Sequence, residues 1–465
     1  MSDIIASVSG VRGILGDSLT PENIIKFTSA FAEYCRRNSK LKKGNNLKIV
    51  IGSDGRMNGE VIEYMTVSNL AMCGCDVVNI GIAPTPTVQI ATEDLKSNGG
   101  IAITASHNPQ IWNGLKFLNP DGTFLDEVQV KEFLKIVKEE NFSYADVNGI
   151  GKVNSDFTWT EKHIEKVLKL RILNIKKIRN RKFKVVVDAV NSSGSVIVPE
   201  LLERLGCKVV RLFCDGSGKF PHTPEPIPEN LKLLSKAVLK HKADIGISVD
   251  PDADRLVLIT DKGVPFSEEN TITTAANFVL KNTKSSKKSV TVNLSTTRSV
   301  DDIADLNGAK VFRSPVGEIN VVKEMKKNKS VIGGEGSGGV IYPELHYGRD
   351  SLAGIVLVLN EIADSGQKLS EYKNKLPEYH ISKSKIEGLT DPGKVLKDFE
   401  KKLKKDKNVI NLNISDGLKA DFSDHWIHMR KSNTEPIIRI ITEARSEKDA
   451  INIQKGIAAE MILNE

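Results

Sequence analysis

Cysteine is scarce and scattered. The 465 residues hold five (Cys35, Cys73, Cys75, Cys207, Cys214), with no CxxC pair and an odd total. This argues against a disulfide framework and for reduced thiols in the cytoplasm, with Cys73 and Cys75 read as core filler. Long apolar runs are missing too. None approaches the ~20 residues that span a bilayer, so no membrane partner is expected. The start, Met1-Ser-Asp-Ile-Ile5, lacks a basic stretch and an apolar core, and it does not read as a signal peptide. Aromatic residues make up only 5 % and do not interleave the lysine-rich stretches at 40–48, 281–288 and 402–407. Those stretches read as solvated faces, and no nucleic-acid partner is expected. What remains is ordinary soluble composition, 40 % hydrophobic and 27 % charged, with a net charge of +7 that suits an anionic ligand. At about 150 residues per domain, the length predicts three domains or so.

The most informative run is Asp250-Pro-Asp-Ala-Asp-Arg255, between the apolar segments Ala243–Val249 and Leu256–Ile259. Alternate residues of extended chain point to one side, so Asp250, Asp252 and Asp254 crowd three like charges together. All-oxygen ligands favour a hard divalent cation, and three carboxylates with room for a phosphate oxygen suit Mg²⁺, one per chain. A calcium-binding EF-hand loop would need Gly at position six and Glu at twelve, where Arg255 and Asp261 stand. A solvated acidic turn is the plainer alternative.

The chain also repeats itself. Strand, loop, helix, glycine and strand recur from Lys48 to Val78, from Val185 to Val210 and from Val290 to Phe312, with Gly74, Gly206 and Gly308 as helix stops. Each unit then reaches a later strand that opens into an unusual loop. These loops are Thr104–Pro109, Asp250–Arg255 and Gly333–Gly339, and strand ends are where α/β sheets bind ligands. The fold class is therefore α/β: three related domains with mixed sheets. The last ninety residues read instead as a smaller α+β domain, with strands near 417–422, 426–429 and 437–442 and a helix from about Ser446. The expected boundaries are 1–154, 155–257, 258–372 and 373–465.

Ser106, beside His107, sits where a hydroxyl can reach substrate, but no G-x-S-x-G elbow surrounds it, which disfavours acyl transfer. Gly334, Gly336 and Gly339 match GxGxxG only formally, because Val340–Pro343 is extended where a dinucleotide site needs a helix. Glycine-rich backbone there lets a polar ligand approach Glu335 and Ser337, the carboxylate accepting from sugar hydroxyls. Lys116 can return to the same cleft as Ser106, and Arg12 lies between glycines that admit an anion. The loop Arg430–Pro436, with Arg439 beyond it, gathers guanidinium, hydroxyl and amide donors suited to phosphate.

In order and spacing, Ser9–Ile14, Thr104–Pro109, Asp250–Arg255, Gly334–Gly338 and Arg430–Pro436 resemble the α-D-phosphohexomutase family across essentially the whole chain. The resemblance implies four domains around a central cleft, with Ser106 as a phosphoserine whose oxygen completes an Mg²⁺ site on Asp250, Asp252 and Asp254. It implies Glu335 and Ser337 as sugar contacts. Arg430, Ser432, Asn433, Thr434 and Arg439 become the clamp for the non-reacting phosphate. Arg12, His107, Lys116 and Arg255 handle protons and charge near the serine. The implied partner is a small phosphosugar, the implied activator a hexose 1,6-bisphosphate, and the implied state a monomer or homodimer. The sugar loop ends Ser337-Gly338-Gly339, where this family often has Ser-Gly-His. The run Gly338–Asp350 looks closest to the phosphoglucosamine mutase branch, with phosphomannomutase and phosphoglucomutase activities beside it. A phosphosugar-binding protein without turnover, a phosphatase and a bisphosphate synthase are the rival readings.

Overall fold

The computed structural model describes residues 4–40, 45–431 and 437–463. Four sheets form among them, and the three repeat units share one plan. Each unit has a middle strand, Leu47–Ser53, Lys184–Asp188 or Ser289–Asn293. On one side it pairs in parallel with the strand that follows the unit's first helix: Cys75–Ile82, Lys208–Phe213 or Lys310–Ser314. On the other side it pairs in parallel with Gly99–Ile103, Ile245–Val249 or Ile332–Glu335. Helices cover both faces of such a sheet, so its inner strands are the continuous Val/Ile runs of the sequence. The helix stops behave as expected: Gly74, Gly206 and Gly308 have φ of 76°, 80° and 64°, the left-handed region that glycine enters freely.

The third strand of each unit then turns back on itself. Gly99–Ile103 pairs antiparallel with Trp112–Leu118, Ile245–Val249 with Leu256–Thr260, and Ile332–Glu335 with Gly339–Ile341. The three loaded loops are thus hairpin connections at equivalent strand ends. The expected boundary at 257 falls inside one of these hairpins, since pairing with Ile245–Val249 keeps residues up to Thr260 in the second sheet. The first sheet gains an N-terminal hairpin, Ile5–Ser7 with Gly10–Ile14, whose second strand pairs with Trp112–Leu118 and sets Arg12 opposite Gly114.

The C-terminal sheet is antiparallel, in the order His380–Ile386, Ile438–Ala444, Trp426–Lys431, Leu418–Asp421, Asn411–Asn413. Its first and last strands do not figure among the strands expected from sequence. HISKSKI reads as a polar stretch, and it becomes a strand by pairing with Ile438–Ala444 more than fifty residues later.

One apolar cluster runs through the first three units, from Val50 to Leu376, whereas the C-terminal unit keeps a cluster of its own from Ile386 to Met461. At the centre of the larger cluster lies the helix Ser351–Ser365, buried at every position from Ser351 to Ile362. A helix apolar on all sides has to be internal. Among the described residues, no helix is long and apolar enough to cross a membrane. Ile247, fully buried on the strand that leads into the aspartate loop, should be costly to truncate. Ile247→Ala is expected to lower the unfolding free energy by about 2–5 kcal/mol in urea titration; a loss below about 1 kcal/mol would contradict the packing described.

Candidate active site

The aspartate loop starts from an electrostatic problem. Asp250, Asp252 and Asp254 are completely buried, and their oxygens lie within 4.8 Å of one another. Burial, together with Asp254 and Asp252, pushes the Asp250 carboxyl well above the ordinary carboxylate range. Burial acts on Asp252 in the same direction. There it is outweighed by Lys116, whose Nζ donates to Oδ2 at 2.6 Å, and by the Thr85 hydroxyl, which donates to the same oxygen at 2.6 Å. Lys116 reaches this point because its strand returns antiparallel beside Gly99–Ile103, with Lys116 opposite Ala102. Oδ1 of Asp252 and Oδ1 of Asp254 are buried without a hydrogen-bond partner. Two orphaned carboxylate oxygens beside a third acid fit a divalent ion, since buried acceptors are otherwise satisfied.

The loop's backbone is fixed from three directions. Thr85 N–H donates to the Asp252 carbonyl at 3.0 Å, the Ser193 hydroxyl to the Pro251 carbonyl at 2.7 Å, and Ser351 N–H to the Ala253 carbonyl at 3.4 Å. Ala253 itself has a φ of 47°.

Ser106 is the second strained residue. Its φ of 50° is left-handed, a conformation costing a non-glycine residue of order 1–3 kcal/mol unless its surroundings enforce it. They do. Ser106 N–H donates to Thr104 Oγ1 at 2.8 Å, and Arg56 donates to the Ser106 carbonyl at 2.6 Å. Arg56 has a fully buried side chain and also reaches the carbonyls of Asn108, Pro109 and Trp112, while Asp54 pairs with it at 2.9 Å. Held in this way, the Ser106 hydroxyl donates to Asp250 Oδ2 at 3.2 Å. The serine loop and the aspartate loop therefore meet at this hydrogen bond. His107 Nδ1 lies 3.4 Å from the same hydroxyl. Burial and the charges of Arg255 and Arg12 push the imidazole down to about 2, so it is neutral around pH 7.

The third loop joins through Arg349. Its guanidinium donates to Asp254 Oδ2 at 2.5 Å, Glu335 Oε2 at 2.7 Å and Glu318 Oε2 at 3.1 Å. Glu335 also accepts from Asn293 at 2.8 Å and from the Gly317 N–H at 3.1 Å. Leu256 N–H donates to the Gly338 carbonyl at 2.9 Å, a backbone tie between the second and third loops.

These loops border a cavity of about 460 Å³ lined by Arg12, Ser106, His107, Lys116, Arg255, Glu335, Ser337 and Arg349. Arg430 and Arg439 enter it from the C-terminal sheet, with Arg430 ion-paired to Asp416 at 2.9 Å. The sequence-predicted site thus comes together, except that Ser432, Asn433 and Thr434 lie outside the described residues. Sequence reasoning missed Arg56, Thr85 and Arg349. Arg349 lies within the run Gly338–Asp350 that carried the branch resemblance, and that was the only signal for it.

Comparison with known proteins identifies the family. Residues 4–144, 161–263 and 267–379 match phosphoglucomutase/phosphomannomutase alpha/beta/alpha domains I, II and III, and residues 386–460 match the C-terminal domain of the same family. The chain belongs to the α-D-phosphohexomutase family. Its relatives are isomerases. A phosphoglucomutase/phosphomannomutase of Thermococcus kodakarensis is 38 % identical over 95 % of this chain and 94 % of that protein. A probable phosphoglucosamine mutase of Methanopyrus kandleri is 32 % identical over 95 % and 94 %. Among solved structures, a phosphoglucomutase/phosphomannomutase family protein from Burkholderia thailandensis superposes with a TM-score of 0.82 at 25 % identity, covering 97 % of this chain and 96 % of that one.

Arg349 is the cation shared by three buried acids in this phosphohexomutase site. Removing one partner from such a group leaves uncompensated charge. Arg349→Met is expected to cost about 3–5 kcal/mol in chemical denaturation with chelator present, and a cost under about 1 kcal/mol would contradict the shared role.

Proposed function

We propose that this phosphohexomutase interconverts hexose 6-phosphate and hexose 1-phosphate through phospho-Ser106 and a bound 1,6-bisphosphate. The observation that carries the reading is the contact of the Ser106 hydroxyl with Asp250 beside a cavity that Ser106, Arg430 and Arg439 all line. In this reading each of the four segments expected from sequence contributes one loop to the cleft. Asp250, Asp252 and Asp254 would hold one Mg²⁺, which supplies positive charge to the oxygens of a phosphoryl group on Ser106.

The chain's own groups do the remaining work. Arg430 and Arg439, with the loop between them, grip the phosphate that does not react, while Glu335 and Ser337 hold sugar hydroxyls. The phosphoryl group passes from Ser106 Oγ to the free sugar oxygen, breaking one P–O bond and forming another. Lys116, Arg12 and Arg255 offset the charge on its oxygens. Phosphoryl transfer needs mainly this positioning and neutralisation. The neutral His107 imidazole stands 3.4 Å from Ser106 Oγ and orients it, and the proton of the attacking sugar hydroxyl ends on that serine oxygen as its P–O bond breaks. The bisphosphate then turns around, its other phosphate returns to Ser106, and the isomer leaves. A hexose 1,6-bisphosphate supplied from outside recharges any serine that has lost its phosphate, which makes it an activator.

Glucosamine phosphate is the favoured substrate on the resemblance of the Gly338–Asp350 run, supported by relatives named probable phosphoglucosamine mutase. The relative named phosphoglucomutase/phosphomannomutase keeps those sugars as the second reading.

Ser106→Ala is expected to reduce mutase turnover to background in an assay of hexose 6-phosphates with Mg²⁺ and catalytic bisphosphate. Undiminished activity in that variant would end the phosphoserine reading. Net release of inorganic phosphate by the wild type would instead identify a phosphatase.

A further inference from the structure

One carboxylate in the cleft has no part in the phosphoryl chemistry. Glu269, in the first turn of the helix Glu268–Asn282, is only 9 % exposed yet lines the same cavity as Ser106 and Glu335. The Thr297 N–H donates to its Oε2 at 3.0 Å, and no other hydrogen bond or ion pair reaches the carboxylate among the described residues. The other two acids that line the cavity, and the acid beside Glu269 in sequence, are each matched by a cation. Glu335 and Glu318 meet Arg349 at 2.7 and 3.1 Å, and Glu268 meets Lys383 at 2.7 Å. Burial, opposed by the charge of Lys383, pushes the Glu269 carboxyl up to about 8. Among the described residues that line the cavity, Glu269 is the acid without an ion pair.

Its position is also specific. A Cβ added at Gly336 would lie 2.1 Å from both Glu269 carboxylate oxygens, so the carboxylate rests against the bare α-carbon of that residue. Gly336 stands between Glu335 and Ser337, the two residues assigned to sugar hydroxyls. A ring held by that pair presents a neighbouring substituent to Glu269. A hydroxyl there could bond to the carboxyl but would supply no charge to hold it ionised. An ammonium group supplies both donor and charge, and a buried acid gains most from such a partner. An N-acetylated nitrogen has no charge to offer.

We infer that Glu269 reads a positively charged amino group on the sugar ring, so that the cleft prefers an amino-hexose phosphate; this rests on the reading of the cleft as a hexose-phosphate site. The test is calorimetric binding of glucosamine 6-phosphate and glucose 6-phosphate to the Mg²⁺-loaded protein, compared among wild type, Glu269→Gln and Glu269→Asp. The wild type is expected to favour the amino sugar by about tenfold or more, as suits a charge-assisted contact. Glu269→Gln should bring the ratio to within about twofold, and Glu269→Asp, which keeps the charge, should retain part of the preference. A wild-type ratio near one, a ratio unchanged in Glu269→Gln, or no binding of either sugar overturns the inference. Because binding is measured apart from turnover, the two readings separate. A Glu269-dependent preference without isomerisation removes the mutase mechanism and keeps the amino-group contact; isomerisation without that preference does the reverse.

Discussion

Three buried carboxylates in one six-residue turn are the constraint on which the rest of the site depends. Each would be costly to ionise alone, and together they repel. The fold meets this with cations delivered from separate elements: Lys116 from the first sheet, Arg255 from the loop itself, and Arg349 from the turn before the central helix. Two carboxylate oxygens nonetheless remain without a hydrogen bond. A site that still lacks a partner after gathering so many is prepared for a divalent ion and for the phosphoryl oxygens it would bind.

The loops that carry these groups are held through their backbones. A serine in the left-handed region and an alanine in the left-handed region, one in each of two facing loops, are strained conformations that persist only when neighbours enforce them. Arg56 does this for Ser106 by bonding to several carbonyls of its loop. Thr85, Ser193 and the start of the central helix do it for the aspartate loop. By contrast, the C-terminal unit has a separate core and contributes Arg430 and Arg439 to the cavity lining. Under the proposed function, loops held in this way and a separately built C-terminal unit would suit a substrate held by either end in turn.

Much of this was legible in the sequence because it is local. The Val/Ile strands, the glycine helix stops and the loops around Ser106, Asp250 and Glu335 are contiguous patterns with a chemical meaning at each residue. Arg56, Thr85 and Arg349 were not legible, because their roles arise from contacts across 50, 167 and 95 residues of chain. The strand His380–Ile386 was hidden for the same reason, its lysines and serines giving no apolar alternation. Glu269 reads as an ordinary acid in a first helical turn, where a carboxylate suits the helix dipole. Only the folded chain presses it against Gly336.

The central claim is that the aspartate loop and Ser106 form one metal-centred phosphoryl site, and anomalous diffraction from crystals of the protein grown with Mn²⁺ tests it most directly. The expected result is one peak within about 2.0–2.6 Å of an oxygen from each of Asp250, Asp252 and Asp254, facing the Ser106 side chain. No peak there, or a peak held by other residues, would contradict it.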